Sequence, residues 1–474
     1  MSANGEDKLS KGGPEWKGPL LERLRQAKST PAEGRTERLS QERRVHNPPP
    51  RFDELPEFQR IQVQRDVSKL LGLENPFYRS HDGAAGATTS IAGRDLVNFA
   101  SYDYLGLNSA AGVKDQAKAA VDHYGISSSA SRVVAGERLA HSALENRLAT
   151  VYGVEAAVSF VSGYLTNVAA ISCLMGPQDI VIHDELAHNS ILAGVKMSGA
   201  TRRFFRHNDI AHLESILTSL PQGVRRVLVV VEGIYSMDGD TADLPALVAL
   251  RSRFGFWLMV DEAHALGVLG PHGRGSFEHY KLDAREIDIW MGTLSKTTAS
   301  CGGYVAGSQA LIDILKADAG GFVYSVGLAP ALAAAASASL DILAQEPIRC
   351  ERLRHNGRHF LECAQAAGLD TGLSLGFSVV PVIVGDSLRA VKLSSDLLDE
   401  GINALPIIHP AVPEGSARLR FFLTADHTQD QIEYAVSRTA AKLKSLESQG
   451  YGLASLNMPQ LIKDMAAPTR DENA

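Results

Sequence analysis

The run Asp288-Ile-Trp-Met-Gly-Thr-Leu-Ser-Lys296 closes a short apolar segment with two hydroxyl side chains and a lysine. An apolar run of this length, bounded by polar residues, reads as a buried strand. Burial disfavours the ammonium form of a lysine, lowers its pKa, and leaves an amine able to form a Schiff base with an aldehyde cofactor. Thr293 and Ser295, followed by Gly302 and Gly303, are the residue types a phosphate needs close by. Alone, a strand-end lysine is ordinarily a solvated residue. Other stretches of the chain supply the remaining parts of a site.

In Val260-Asp-Glu-Ala-His264, Asp261 ends an apolar run. A carboxylate there can pair with a protonated ring nitrogen of a heteroaromatic cofactor and keep that ring an electron sink. His264, three residues on, can reach the same cofactor. Asp-Glu-Ala-His is also a helicase box, but the chain has no G-x-x-x-x-G-K-[ST] phosphate loop, and that reading falls. Ser162-Gly-Tyr-Leu-Thr-Asn167 stands between an apolar run and a helical pattern, where unpaired N–H groups bind phosphate. His183-Asp-Glu-Leu-Ala-His-Asn-Ser190 offers a histidine to stack on a planar ring. No His or Cys partners stand at zinc-ligand spacing, so no metal is expected. Val231-Glu-Gly-Ile-Tyr-Ser-Met-Asp-Gly-Asp240 ends another apolar run in polar residues. In Ala417-Arg-Leu-Arg-Phe-Phe-Leu-Thr-Ala-Asp-His427, one arginine of Arg418 and Arg420 is expected to turn inward, the other away, and the inward one to fork a carboxylate.

The elements that must position these residues alternate along the chain. Strands are expected at 95–100, 156–160, 179–183, 226–231, 257–260, 287–291 and 304–306, with helices over 141–152, from Thr166, from Ser190, from Pro245 and from Pro330 to about Leu343. Such alternation implies an α/β fold whose mainly parallel sheet carries helices on both faces, with the site in the crevice at the carboxyl ends of the strands. The expected organisation is a flexible arm over 1–55 with a short helix near Leu20–Ala27, and a segment of helical and extended character over 56–95. A large domain follows over 96–340, then a smaller α+β domain over 341–448 and a tail over 449–474.

Bulk properties agree. The chain has 474 residues, 45% of them apolar, and a formal charge of −7, so it can bury a large core and has no general attraction for nucleic acid. No apolar run approaches the length of a membrane span. Residues 1–50 hold no apolar segment of the secretory-signal kind. The four cysteines are scattered without CxxC spacing, which fits a reduced, cytoplasmic setting.

The ordered set SYDYLGL, SGYLTN, HDELAHNS, RRFFRHND, VEGIYSMDGD, VDEAHALGVLGPHGRG, GTLSK and RLRFFLTADHT resembles the α-oxoamine synthases over residues 95–445. These are pyridoxal-phosphate (PLP) enzymes of fold type I, among them serine palmitoyltransferase and 8-amino-7-oxononanoate synthase. The resemblance implies that Lys296 holds PLP and later moves the Cα proton. Asp261 would pair with the pyridine nitrogen, His188 stack on the ring, and His264 and Ser236 bond its phenolic oxygen. Gly163, Tyr164, Thr293 and Ser295 would hold the phosphate, with Ser325 reaching that of a neighbouring subunit in a homodimer. Arg420 would bind the substrate carboxylate, with Tyr104 and Arg132 as further substrate contacts. The reaction implied is decarboxylative condensation of glycine, alanine or serine with an acyl thioester of CoA or a carrier protein. An aminotransferase or retro-aldol enzyme of the same fold, and a non-catalytic partner subunit, are the alternatives. Two departures stand out. Ile408-His409-Pro410 replaces an Arg-Pro-Pro stretch, and Glu137 stands where a small hydroxyl residue is common.

Overall fold

The structure, a computed structural model, describes residues 49–456. The arm expected over 1–55, apart from its last residues, the helix near Leu20–Ala27 and most of the tail lie outside them. Two compact units divide the chain, Pro76–Ser455 forming the larger. In the smaller, Pro56–Leu70 is a helix with Pro56 at its first turn, where a missing N–H costs nothing.

In the larger unit the strands are β1 His81–Asp82, β2 Thr88–Ile91, β3 Arg94–Asn98, β4 Ala156–Phe160, β5 Ile180–Asp184, β6 Thr201–Phe205 and β7 Val227–Glu232. They continue as β8 Trp257–Asp261, β9 Ile289–Thr293, β10 Gly303–Gly307, β11 Val379–Gly385, β12 Ile402–Asn403, β13 Leu405–Ile407 and β14 Ala417–Phe422. Among the described residues the largest sheet has seven strands, ordered β4-β10-β9-β8-β7-β5-β6. Its pairs are parallel except those of β10, which runs antiparallel to both β4 and β9. A second sheet of three strands, β11-β14-β13, belongs to the α+β part.

Side chains alternate across the large sheet and both faces are buried. Val229, Val231, Leu258, Val260 and Trp290 join one core. Leu228, Val230, Met259, Ile289 and Met291 join the other, under the helix Gly163–Leu174. Local signals place the crossovers. The helix Leu244–Phe254 starts where the Asp243 carboxylate accepts from the Ala246 N–H at 3.1 Å and stops at Gly255, φ 70°.

Two differences from the sequence expectation bear on the site. β6, Thr-Arg-Arg-Phe-Phe, is an edge strand, and its exposed residues give no continuous apolar run to read. The central strands also extend past their apolar runs, to Asp184, Glu232, Asp261 and Thr293. The backbone ladder continues where the side chains turn polar, so the strands themselves carry the chemical groups.

Candidate active site

The carboxyl ends of β7, β8 and β9 and the start of the helix Gly163–Leu174 enclose a cavity of about 160 Å³. Lys296, Asp261, His264, His188, Gly163, Tyr164, Thr293 and Ser295 all line it. A larger cavity, about 690 Å³, opens at the opposite ends of the strands beside Trp257, Ile287 and Ile289 and holds none of the expected residues.

Asp261 is buried and held by two donors: Asn167 Nδ2 at 2.8 Å and the Ala263 N–H at 2.9 Å. Asn167 Nδ2 also donates to Ser190 Oγ at 2.9 Å, and that hydroxyl lies 2.7 Å from Nδ1 of His188. Nδ1 of His188 accepts the Ser190 N–H at 3.3 Å and so caps the helix Asn189–Ser198. Burial, with Lys296 and Arg420 nearby, lowers the pKa of His188 although Asp261 opposes it, and an accepting Nδ1 places the ring proton on Nε2.

Burial, then Lys296, Arg420 and His188, pushes His264 well below the ordinary histidine range, so its ring is neutral. The Tyr104 hydroxyl, raised by burial and therefore protonated, lies 2.6 Å from its Nδ1. Burial brings the Lys296 amine down to about 8 against the attraction of Asp261. The Lys296 Nζ stands 5.6 Å from the centre of the Tyr102 ring.

Arg418 and Arg420, two apart on β14, share a face, which corrects the expectation that one turns in and the other away. Both reach the loop after β7: Arg418 donates to Met237 O at 3.1 Å and to Asp238 Oδ1 at 2.6 Å, and Arg420 to Ser236 O at 2.9 Å. Arg420 also meets the Met237 sulfur at 3.5 Å and the Tyr102 hydroxyl at 3.5 Å. Its Nε is buried without a partner, and among the described residues the guanidinium forms no ion pair.

Two side chains expected at the substrate are engaged within the chain. Tyr104 is fully buried with its hydroxyl on His264, so it orients that ring. Tyr102, two residues before it, meets both Lys296, at 5.6 Å from its ring centre, and Arg420, at 3.5 Å from its hydroxyl. Arg132 is also buried and its N–H groups are taken: Nε donates to Glu137 at 2.6 Å, Nη2 to Glu137 at 2.7 Å, and Nη1 to Glu145. This fork gives Glu137 its role: it closes a structural ion pair with Arg132. Ser236 is tied to Arg420 through its carbonyl, and Ser325 does not line the cavity of its own chain. Asn167, Glu232 and Tyr102 were missed. Asn167 closes one of the motifs already singled out and Glu232 stands second in another, and their polarity beside apolar runs was the available signal.

The cavity fits a phosphorylated heteroaromatic aldehyde. A Cβ on Gly163 would lie 2.6 Å from Thr293 Oγ1, so only glycine leaves the helix start open. Ser162 precedes that helix without capping it through its side chain. Asn167 Oδ1 is buried without a partner. Among the described residues no group of three His, Cys, Asp or Glu is placed to hold a metal.

Comparison with known proteins agrees. Residues 94–438 match the family model for aminotransferase class I and II. The chain is 42% identical over 350 residues to the 8-amino-7-oxononanoate synthase of Symbiobacterium thermophilum, covering 74% of this chain and 89% of that one. Serine palmitoyltransferase from S. paucimobilis, solved with bound PLP–myriocin, superposes with a TM-score of 0.80 at 30% identity over 84% of this chain and all (100%) of that one. The enzyme of the same name from Sphingomonas wittichii does so with a TM-score of 0.80 at 31% identity, over 84% of this chain and 99% of that one. The fold is thus the type I PLP-dependent transferase fold, with a large mainly parallel sheet and a smaller α+β part. The chain belongs to the class I and II aminotransferase family and, within it, to the α-oxoamine synthases.

Proposed function

We infer that this PLP-dependent α-oxoamine synthase joins glycine, alanine or serine to an acyl group carried as a thioester on CoA or a carrier protein, releasing CO2 and free thiol. Arg420 carries the reading. Its guanidinium, with Nε buried, meets only neutral partners, and one of them, Tyr102, also has its ring centre 5.6 Å from the Lys296 Nζ. An α-amino acid presents a carboxylate for the guanidinium and an amino-bearing carbon for the lysine.

PLP, when bound, supplies the electron sink for negative charge developing at Cα. Lys296, with its pKa near 8, suits both the covalent hold on the cofactor and proton transfer at Cα. Asp261, fixed by Asn167 and Ala263, would keep the ring nitrogen protonated. His264, with Tyr104 donating to Nδ1, keeps Nε2–H as a donor, suited to a developing phenolate. Gly163, Tyr164, Thr293 and Ser295 would hold the phosphate and His188 would face the ring.

The active unit in this proposal is a cytoplasmic homodimer in which Ser325 serves the neighbouring site. Its support is the exposure of Tyr324 at 89% and Val134 at 82%, on segments joined by the Gly327 N–H to Ala130 O bond of 3.0 Å. Among the described residues no helix is long and apolar enough to cross a membrane. The test is an absorbance titration of the PLP-loaded protein with glycine, alanine, serine and threonine, repeated with a panel of acyl thioesters while thiol and CO2 are followed. One amino acid that shifts the band and one thioester that releases thiol confirm the reading. Shifts without thiol from any CoA or carrier-bound donor refute it and leave the aminotransferase chemistry.

A further inference from the structure

The cofactor cavity contains a second carboxyl group, Glu232, for which the roles above have no use. Glu232 ends β7 as Asp261 ends β8, and the two are Cα partners in the parallel ladder. In-register neighbours project from one face, so both carboxyl groups enter the same cavity. Each residue is 4% exposed.

Two carboxylates so placed do not both ionise readily, and the one with more donors keeps the charge. Asp261 accepts from Asn167 Nδ2 and the Ala263 N–H. Glu232 accepts one bond, from the His188 N–H at 2.6 Å. That bond joins the sheet to the start of the helix Asn189–Ser198 and fixes the residue whose ring faces the cavity.

We propose that Glu232 is a neutral carboxylic acid that positions His188 and leaves Asp261 the sole anion available to the cofactor ring nitrogen; this rests on reading the cavity as the PLP site. The charged groups acting on Glu232 are consistent with that state. Burial and then Asp261 raise its pKa well above the carboxylate range, Asp184 adds to this, and Lys296 and the His188 N–H only partly oppose it. Glu232 is therefore a positioning residue. It sets the height of His188 from the sheet and keeps a second negative charge away from Lys296.

Two variants and two readouts test this. Infrared difference spectra of the apoprotein, wild type minus Glu232→Gln, are expected to show the carbonyl band of a protonated carboxyl group. PLP affinity of the apoprotein is expected to fall roughly tenfold in Glu232→Ala, which removes the acceptor of the part-buried His188 N–H bond. In Glu232→Gln, whose amide oxygen can accept the same bond, most of that loss is expected to be restored. Absence of the acid band overturns the neutral state, and a Gln variant as weak as the Ala variant shows that a charge was needed. An acid band in a wild-type protein that takes up no PLP overturns the cofactor reading, and with it the role assigned to His188.

Discussion

The Tyr104 hydroxyl lies 2.6 Å from Nδ1 of His264, and both side chains are buried. With the tyrosine hydroxyl as donor, the bond favours the His264 tautomer that carries its proton on Nε2. Tyr104→Phe leaves a buried nitrogen without its donor, at a cost of roughly 1–3 kcal/mol, and frees the other tautomer. A shifted cofactor absorbance band and a fall in kcat of about tenfold are expected. A lower kcat with an unaltered band would show that the bond serves packing alone.

Lys296 must be unprotonated to capture an aldehyde, and burial places its pKa at about 8. Stopped-flow reconstitution of the apoprotein with PLP is expected to speed up as pH rises through about 8 and then level off. Lys296→Ala should bind PLP without the covalent band. A capture rate that follows an ordinary lysine, still climbing beyond pH 9 or about 10, contradicts the assignment.

Arg420 offers the amino acid carboxylate a charge-assisted bond that Lys can replace only in part. Amino acid affinity, read from the absorbance titration, is expected to drop on the order of 10- to 100-fold in Arg420→Ala and less in Arg420→Lys. Equal affinity in all three proteins would move the carboxylate elsewhere.

His207 bridges Asp184 at 2.9 Å and Asp240 at 2.7 Å. Burial alone would lower its pKa, but these bonds outweigh it and push the imidazole up to about 10. A folded pKa above the unfolded one contributes stability that is fully present below about pH 6.5 and lost as pH rises through about 10. Urea midpoints measured over that window are expected to fall in the wild type and to flatten in His207→Gln.

Arg132 is buried and pairs with Glu145 inside the protein and with Glu137 at its surface, so its removal should appear in stability and not in substrate affinity. Arg132→Ala leaves the buried Glu145 with Lys316 alone as a cationic partner, and a loss of about 1–3 kcal/mol is expected from denaturant unfolding. A rise in the KM for the amino acid with unchanged stability would restore the substrate role.

The chemical groups were legible because they are local. Apolar runs ending in Asp261, Thr293 and Lys296 announced strands that deliver polar residues to one end of a sheet, and the structure brings those residues to one cavity. Order along the chain and residue type suffice for that inference, since a parallel sheet aligns its strand ends. Partnerships across the chain were not legible. Tyr104 and Tyr102 stand two apart in one turn, yet one lies behind His264 and the other meets both Lys296 and Arg420. Arg132 and Glu145 read as separate charges until folding buries them together. Glu232 reads as a strand-end carboxylate until the ladder sets it beside Asp261. The sequence by itself determined which groups the site could draw on. Tertiary structure alone decided which are paired, which are neutral and which remain free for a ligand, because burial and distance between remote residues set those states.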